Sequence, residues 1–228
     1  MDTELVGVGL YTPAEAARLL AIPAGKIRRW LSGHTVRGLH YERLWKPQVE
    51  LDDNKLYLGF KDLMELRAAS RFIAHGVSPQ QVRRAIEIAA REFAFDHPMS
   101  TMKFRTDGRT IFLQIDEVTG SDPKLVDIFN KQYAFQRILE PSLKDIDFDD
   151  DGRPGRWWPA SKEKGIVVDP ERCFGQPIDD ETGVPTCVLA AAAHAERSVA
   201  SAAAAWRVPA RAVRRALQFE ASGQKLAA

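Results

Sequence analysis

Apolar positions along the chain change between helical and strand spacing, and those changes set out its organisation. Ala16, Leu19 and Leu20 recur at helical spacing behind Thr12-Pro13-Ala14-Glu15, a capping box with Pro at the first helical position, which predicts a helix from there. Ile22-Pro23 makes a turn, and Ala24 to Leu31 a second short helix with Ile27 and Leu31 facing inward. Ser32-Gly33 ends it. Tyr41-Glu42-Arg43-Leu44-Trp45 alternates as a strand does, Asp52-Asp53-Asn54 is a turn, and Leu56-Tyr57-Leu58 returns as a second strand. Two longer helices follow. One runs from about Phe60 to His75 and stops at Gly76; the other runs from Pro79 to Phe93, with Ser78 as cap and Gln81 in the box position.

In the middle, Lys103-Phe104-Arg105 and Thr110 to Ile115 flank Thr106-Asp107-Gly108-Arg109. Asp-Gly between alternating apolar residues predicts a β-hairpin. A lone hairpin is marginal in water, so it is expected to pair with another sheet or with a second copy in a dimer. Pro123 to about Leu139 has the apolar spacing of an amphipathic helix, with Pro141 after its end. Asp147-Phe148-Asp149-Asp150-Asp151-Gly152 imitates the opening of a calcium loop, but the twelfth position is Trp158, not Glu, and Pro154 and Pro159 bar a flanking helix. A flexible acidic linker is the expectation there. Trp157 and Trp158 need cover, either from their own chain or from a partner's groove beside Arg153 or Arg156. Beyond Gly165, the apolar run Ile166 to Val168 and several Gly/Pro loops lead into Ala-rich helices over about 186–196, 198–205 and 209–219.

The fold expected is mainly α with small β-ribbons. Its segments are a winged helix-turn-helix over 1–95, a hairpin and helix over 96–140 serving as a dimerisation region, a linker over 141–164 and a trihelical unit over 165–228.

Charge changes this picture only locally. The chain has 228 residues, 45% hydrophobic and 28% charged, with a formal net charge of +1, so it is no uniformly basic coat for nucleic acid. Lys26, Arg28, Arg29, Arg37, Arg43 and Lys46 cluster against Glu42 alone, whereas five Asp crowd Asp145 to Asp151. A phrase of the form Pro, β-branched residue, Arg-Arg, apolar residue occurs around Arg28-Arg29, Arg83-Arg84 and Arg214-Arg215. Its Pro suits a first helical turn, and its Arg pair faces away from the apolar side. Arg28-Arg29 reads as a DNA-facing pair because capping box, turn, basic helix and basic wing agree; Arg83-Arg84 reads as a solvated helix face. Arg207, Arg211, Arg214 and Arg215 fit a second DNA-binding helix, an acidic protein surface or water alike.

Cys173 and Cys187 have no close-spaced ligand pair and read as reduced thiols. No signal peptide or membrane span is expected, and a cytoplasmic location follows. The five His are scattered without ligand spacing, Asp179-Asp180-Glu181 reads as a solvated acidic turn, and no phosphate-cradling Gly loop occurs. No enzyme, metal or cofactor is expected.

The order of elements to about residue 95 resembles the DNA-binding domain of the MerR family of transcription regulators. Tyr11-Thr12-Pro13-Ala14-Glu15-Ala16-Ala17 looks like that family's opening, and Gly76-Val77-Ser78-Pro79-Gln80-Gln81-Val82-Arg83 like its helix-pair junction. The chain departs from it in having no long dimerising helix and no metal-ligand cysteine cluster, so the resemblance does not extend to sensing metal or oxidant. Gly165 to Pro170, Phe174-Gly175-Gln176-Pro177-Ile178 and Thr182-Gly183-Val184-Pro185-Thr186, with the helix through Val213 to Glu220, resemble a small trihelical domain. That domain is carried by VapB-type antitoxins of PIN-type ribonuclease toxins, and the resemblance spans roughly residues 157–221.

These resemblances imply an antitoxin and transcriptional autorepressor, a homodimer or part of a higher toxin–antitoxin assembly. Its partners would be operator DNA, through Thr12, Lys26, Arg28, Arg29, Arg37, Arg43 and Lys46, and a PIN-type ribonuclease toxin, through Arg153, Arg156, Trp157, Trp158, Arg211, Arg214 and Arg215. A stand-alone regulator sensing a small ligand, and an interaction module without DNA affinity, are the alternatives.

Overall fold

Thr12 and Glu15 do what their spacing predicts. The Thr12 hydroxyl accepts the Glu15 backbone N–H, and the Glu15 carboxylate accepts the Thr12 N–H, opening α1 (Pro13–Leu20). Across the turn, α2 (Ala24–Ser32) buries Ile27, Trp30 and Leu31 and ends at Gly33, whose φ of 70° places it in the left-handed region. A Cβ there would lie 2.8 Å from the Tyr41 carbonyl oxygen, so no larger residue fits. The computed structural model describes residues 5–119 and 132–227.

The wing is shorter and earlier than its alternation suggested. It is an antiparallel hairpin of β1 (His34–Val36) and β2 (Leu39–Tyr41), with Arg37-Gly38 as a two-residue turn at φ 51° and 79°. Leu44 and Trp45, expected on a strand, are consecutive and both buried, which a half-exposed strand forbids. The Trp45 indole donates to the Asp62 carboxylate at 2.7 Å. Leu58 pairs with Tyr11 in a single bridge instead of returning along the wing.

The helix pair is α3 (Phe60–Ala74) and α4 (Pro79–Phe93), the latter with the Ser78–Gln81 capping box in place. After a short 3-10 turn, the expected hairpin over 103–115 is replaced by α5 (Met102–Thr119). Phe104, Ile111, Phe112 and Ile115 are buried at helical spacing, and long-range burial outweighs the local turn preference of Asp107-Gly108. Asp107 forms an i,i+4 pair with Lys103, and Gly108 leaves room for the Phe104 ring, 2.8 Å from where its Cβ would be.

Residues 123–131 of the next expected helix lie outside the described residues. α6 (Gln132–Leu143) carries Pro141 within its last turn instead of beyond it. Arg67 of α3 donates to the carbonyls of Pro141, Ser142 and Lys144, which satisfies the end of α6. Phe72, Phe104, Phe112 and Phe135 join these helices, with ring centroids 4.9–6.4 Å apart.

The segment expected as a flexible acidic linker is half of a sheet. β3 (Ile146–Phe148), β4 (Pro154–Trp157), β5 (Ile166–Val168) and β6 (Pro177–Asp179) form a four-stranded antiparallel sheet in that order. Asp149 turns its carboxylate onto the Asp151 and Arg153 backbone N–H groups, closing the β3–β4 turn. Trp157 and Trp158 are covered by their own chain. Trp157 joins a hydrophobic cluster that runs continuously from Tyr11 to Val168, and Trp158 packs with Val167 and Ile178.

The chain ends in three helices, α7 (Thr186–Ala195), α8 (Val199–Trp206) and α9 (Ala210–Ala227). Ala193, Ala202, Ala203, Ala212 and Ala216 lie in their shared core, where the missing side-chain bulk lets the backbones approach. Among the described residues, no helix is long and apolar enough to cross a membrane.

Candidate nucleic-acid interface

The burial of Ile27, Trp30 and Leu31 fixes which way α2 turns its charges. Arg28 and Arg29 are exposed, and the Lys26 ammonium lies 4.8 Å over the Trp30 ring, which holds its stem along the helix. Arg37 projects at the tip of the wing. Among the described residues no carboxylate comes within ion-pair distance of Arg28, Arg29 or Arg37. Arg43 and Lys46 differ: both face Glu50, at 4.0 and 2.8 Å, so a single carboxylate serves two cations.

A groove of about 530 Å³ runs between α2, the hairpin and the start of α4, and Lys26, Arg29, His34, Tyr41 and Arg83 line it together with one carboxylate, Glu42. His34 stacks on Tyr41 with ring centroids 4.9 Å apart, which stiffens the hairpin wall. Arg83, about a third exposed, lines this groove with its guanidinium 3.5 Å from Glu87. Arg84 is exposed. Thr12 is exposed too, yet its hydroxyl and N–H are already engaged with Glu15. Among the described residues, Lys26, Arg28, Arg29 and Arg37 are therefore the part of the predicted set that no carboxylate pairs, whereas Arg83, like Arg43 and Lys46, has one beside it.

The C-terminal arginines divide. Arg211 forms a bidentate pair with Glu181, and Arg215 donates to Asp179 at 2.7 Å and to Glu181 at 2.9 Å. Hydrogen bonds from Arg211 and then Arg215 hold the Glu181 carboxyl down to about 2. The expected solvated acidic turn is thus a clamp between β6 and α9, and Asp179 is fully buried, accepting also from Thr182. Arg214 is exposed, and Trp206 at the end of α8 is 46% exposed.

Of the remaining predicted contacts, Arg153 stacks over Phe95 at 4.9 Å, and Arg156 is exposed at 4.0 Å from Asp147. Trp157 is 4% exposed, under the Arg67 guanidinium at 4.9 Å; Trp158 is 8% exposed and donates its indole N–H to Asp147 at 2.9 Å. Burial pulls the Arg67 guanidinium down to about 10, and nearby Arg71 adds to this. Nothing local in the sequence marks Arg67, because its partners lie more than seventy positions away.

Among the described residues, no three His, Cys, Asp or Glu side chains gather as a metal site. No family model matches the chain. Over 190 residues, 78% of this chain and 79% of the relative, it is 26% identical to "Putative antitoxin VapB45" of Mycobacterium tuberculosis (strain ATCC 25618 / H37Rv). The crystal structure of Rv2018 from Mycobacterium tuberculosis shares its fold, with a TM-score of 0.71 and 24% identity over 93% of this chain and 99% of that one.

Proposed function

We propose that this protein is an antitoxin and autorepressor of a toxin–antitoxin operon, binding operator DNA as a dimer and neutralising a PIN-type ribonuclease. The observation that carries the DNA half is the groove between α2, the wing and α4, with Lys26, Arg29 and Arg83 on its walls and Arg28 and Arg37 beside it. Side chains from a helix reach base edges while the wing tip meets the backbone, and counterion release supplies the affinity. The toxin half rests on similarity to the relative named "Putative antitoxin VapB45".

In this reading toxin contact falls to Arg214, Arg156 and the exposed Trp206. Arg211 and Arg215 already clamp β6 to α9, and Trp157 and Trp158 already fill the chain's own cores. An arginine inserted at the toxin's acidic metal site would block the place where RNA phosphates bind. No catalytic role is assigned to this chain.

The experiment is co-expression with the adjacent reading frame, followed by size exclusion and RNA-cleavage assays. A neighbour that cleaves RNA alone and forms an inactive complex with this chain supports the proposal. A harmless neighbour that forms no complex removes the antitoxin half. Retention of the chain's own upstream DNA in excess nonspecific DNA would then favour a stand-alone regulator, and loss of binding an interaction module.

A further inference from the structure

Between α1, the β4–β5 loop and the outer part of α9 lies a groove of about 630 Å³, within the roughly 300–1,000 Å³ of small-ligand sites. Leu19, Pro159 and Phe219 give it apolar walls, and Arg18, Lys164 and Arg215 line it as well. Among the described residues, no carboxylate does. Phe219 is half-buried yet belongs to none of the chain's hydrophobic clusters, so its ring serves the groove and not a core.

Two glycines let the arginines in. The Arg18 stem crosses α9 at Gly223, where a Cβ would lie 3.3 Å from Arg18 Cγ. The Arg215 guanidinium rests against Gly165, 3.5 Å from where its Cβ would be, next in sequence to Lys164. The carboxylates that hold these arginines stand off the groove wall. Glu220 takes Nη1 of Arg18, and Asp179 and Glu181 take Nε and Nη2 of Arg215. Arg18 keeps Nε and Nη2, and Arg215 keeps Nη1, without an acceptor among the described residues. Their side chains are 30% and 26% exposed, and Lys164 is exposed, so all three are open to solvent. No carboxylate of the described residues comes within ion-pair distance of Lys164. The two arginines are thus neutralised from behind, and Lys164 leaves the wall one uncompensated positive charge.

We propose that this groove binds a small organic monoanion with an apolar body. The acidic head lies on Lys164 and the spare donors of Arg18 and Arg215, and the body lies along Phe219, Leu19 and Pro159. An inorganic ion would leave the apolar walls wet, and a neutral body would leave the donors unused, so both parts contribute. Such a ligand touches the first helix of the chain, the β4–β5 loop and the last helix together.

The probe is 8-anilinonaphthalene-1-sulfonate, an aromatic body with one negative charge, titrated into the folded full chain at pH 7 and followed by fluorescence. Neither DNA nor toxin takes part. Decanoate is expected to displace it, whereas decanol, which has the chain without the charge, and acetate, which has the charge without the chain, are not. Lys164→Gln changes an exposed residue, and it and Phe219→Ala are each expected to weaken decanoate about tenfold. Amide resonances of Gly165 and Gly223 are expected to shift as decanoate saturates the unaltered chain, a readout that needs no variant. Equal displacement by decanol, unchanged affinity in both variants, or shifts confined to other parts of the chain would each overturn the proposal. Displacement by a toxin partner with decanoate inert would give the groove to a protein segment instead.

Discussion

Arg18 on α1 and Glu220 on α9 form an ion pair across 202 positions of sequence, and the other Glu220 oxygen accepts the Thr186 hydroxyl of α7. One carboxylate, 12% exposed, thus ties the first helix of the chain to two of its last three helices. A groove of about 630 Å³ opens beside it, lined by Arg18, Lys164, Arg215 and Phe219. Glu220→Gln keeps the shape and removes the charge from both bonds. It is expected to cost about 1–2 kcal/mol, since hydrogen bonds to charged groups exceed neutral ones. Urea unfolding should show a lower midpoint with an unchanged slope.

For the DNA surface, Lys26→Ala and Arg29→Ala are expected to weaken operator binding. Each should flatten the plot of log affinity against log salt by about one unit if it removes a phosphate contact. Fluorescence anisotropy over a salt series measures this; unchanged slopes in both variants would sink the assignment.

Gly108 lies inside α5, where Gly→Ala ordinarily gains about 1 kcal/mol. Here the added methyl would sit 2.8 Å from the Phe104 ring, itself fully buried. Overpacking costs about 1–3 kcal/mol, so the sign reverses and Gly108→Ala is expected to destabilise. A raised melting temperature would contradict this packing.

Burial raises the Glu65 carboxyl to about 7, against the lowering influence of His97 and of the Met99 and Ser100 bonds. A carboxyl raised in the folded state stabilises most when protonated in both states, and that contribution is lost as pH climbs from about 4.5 to 7. The raised His97 pKa has the same sign, its contribution being present at low pH and lost as pH rises through the folded value. Stability should therefore fall across this window. Glu65→Gln is expected to flatten the fall, as read by denaturant midpoints from pH 4.5 to 8.

The proposed toxin-contact surface can be tested apart from folding. Trp157→Ala is expected to cost about 3–5 kcal/mol as a core truncation, so its effect on neutralisation would be uninformative. Arg214→Glu and Trp206→Ala lie on exposed surface. They are expected to weaken the toxin complex at least tenfold, about 1.4 kcal/mol, with an unchanged unfolding midpoint. Full neutralisation by the double variant would move the contact elsewhere.

What could be read from the residues follows the range of the forces involved. Thr12 with Glu15, and Ser78 with Gln81, are contacts three positions apart, so the starts of α1 and α4 were legible without any fold. The same holds for the exposed faces carrying Arg28 and Arg29, because apolar neighbours at helical spacing decide them. The location of the wing was less legible, since a two-residue Arg37-Gly38 turn competed with a longer alternating stretch.

Other features depended on partners far along the chain. Asp107-Gly108 carries a strong local turn signal, yet Phe72 and Phe135 recruit Phe104 and Phe112 onto one buried helical face. The acidic run after Asp145 looked like a linker until β5 and β6 supplied a sheet for it to join. Arg29 and Arg215 occupy the same place in a repeated phrase, but only Arg215 meets carboxylates, thirty-four and thirty-six positions away. Sequence by itself determined the capped helices and which side of each is charged, because caps and amphipathic faces are set within a turn or two. Only the tertiary structure decided which of those charges are free, because charge pairing and burial depend on residues that folding brings together.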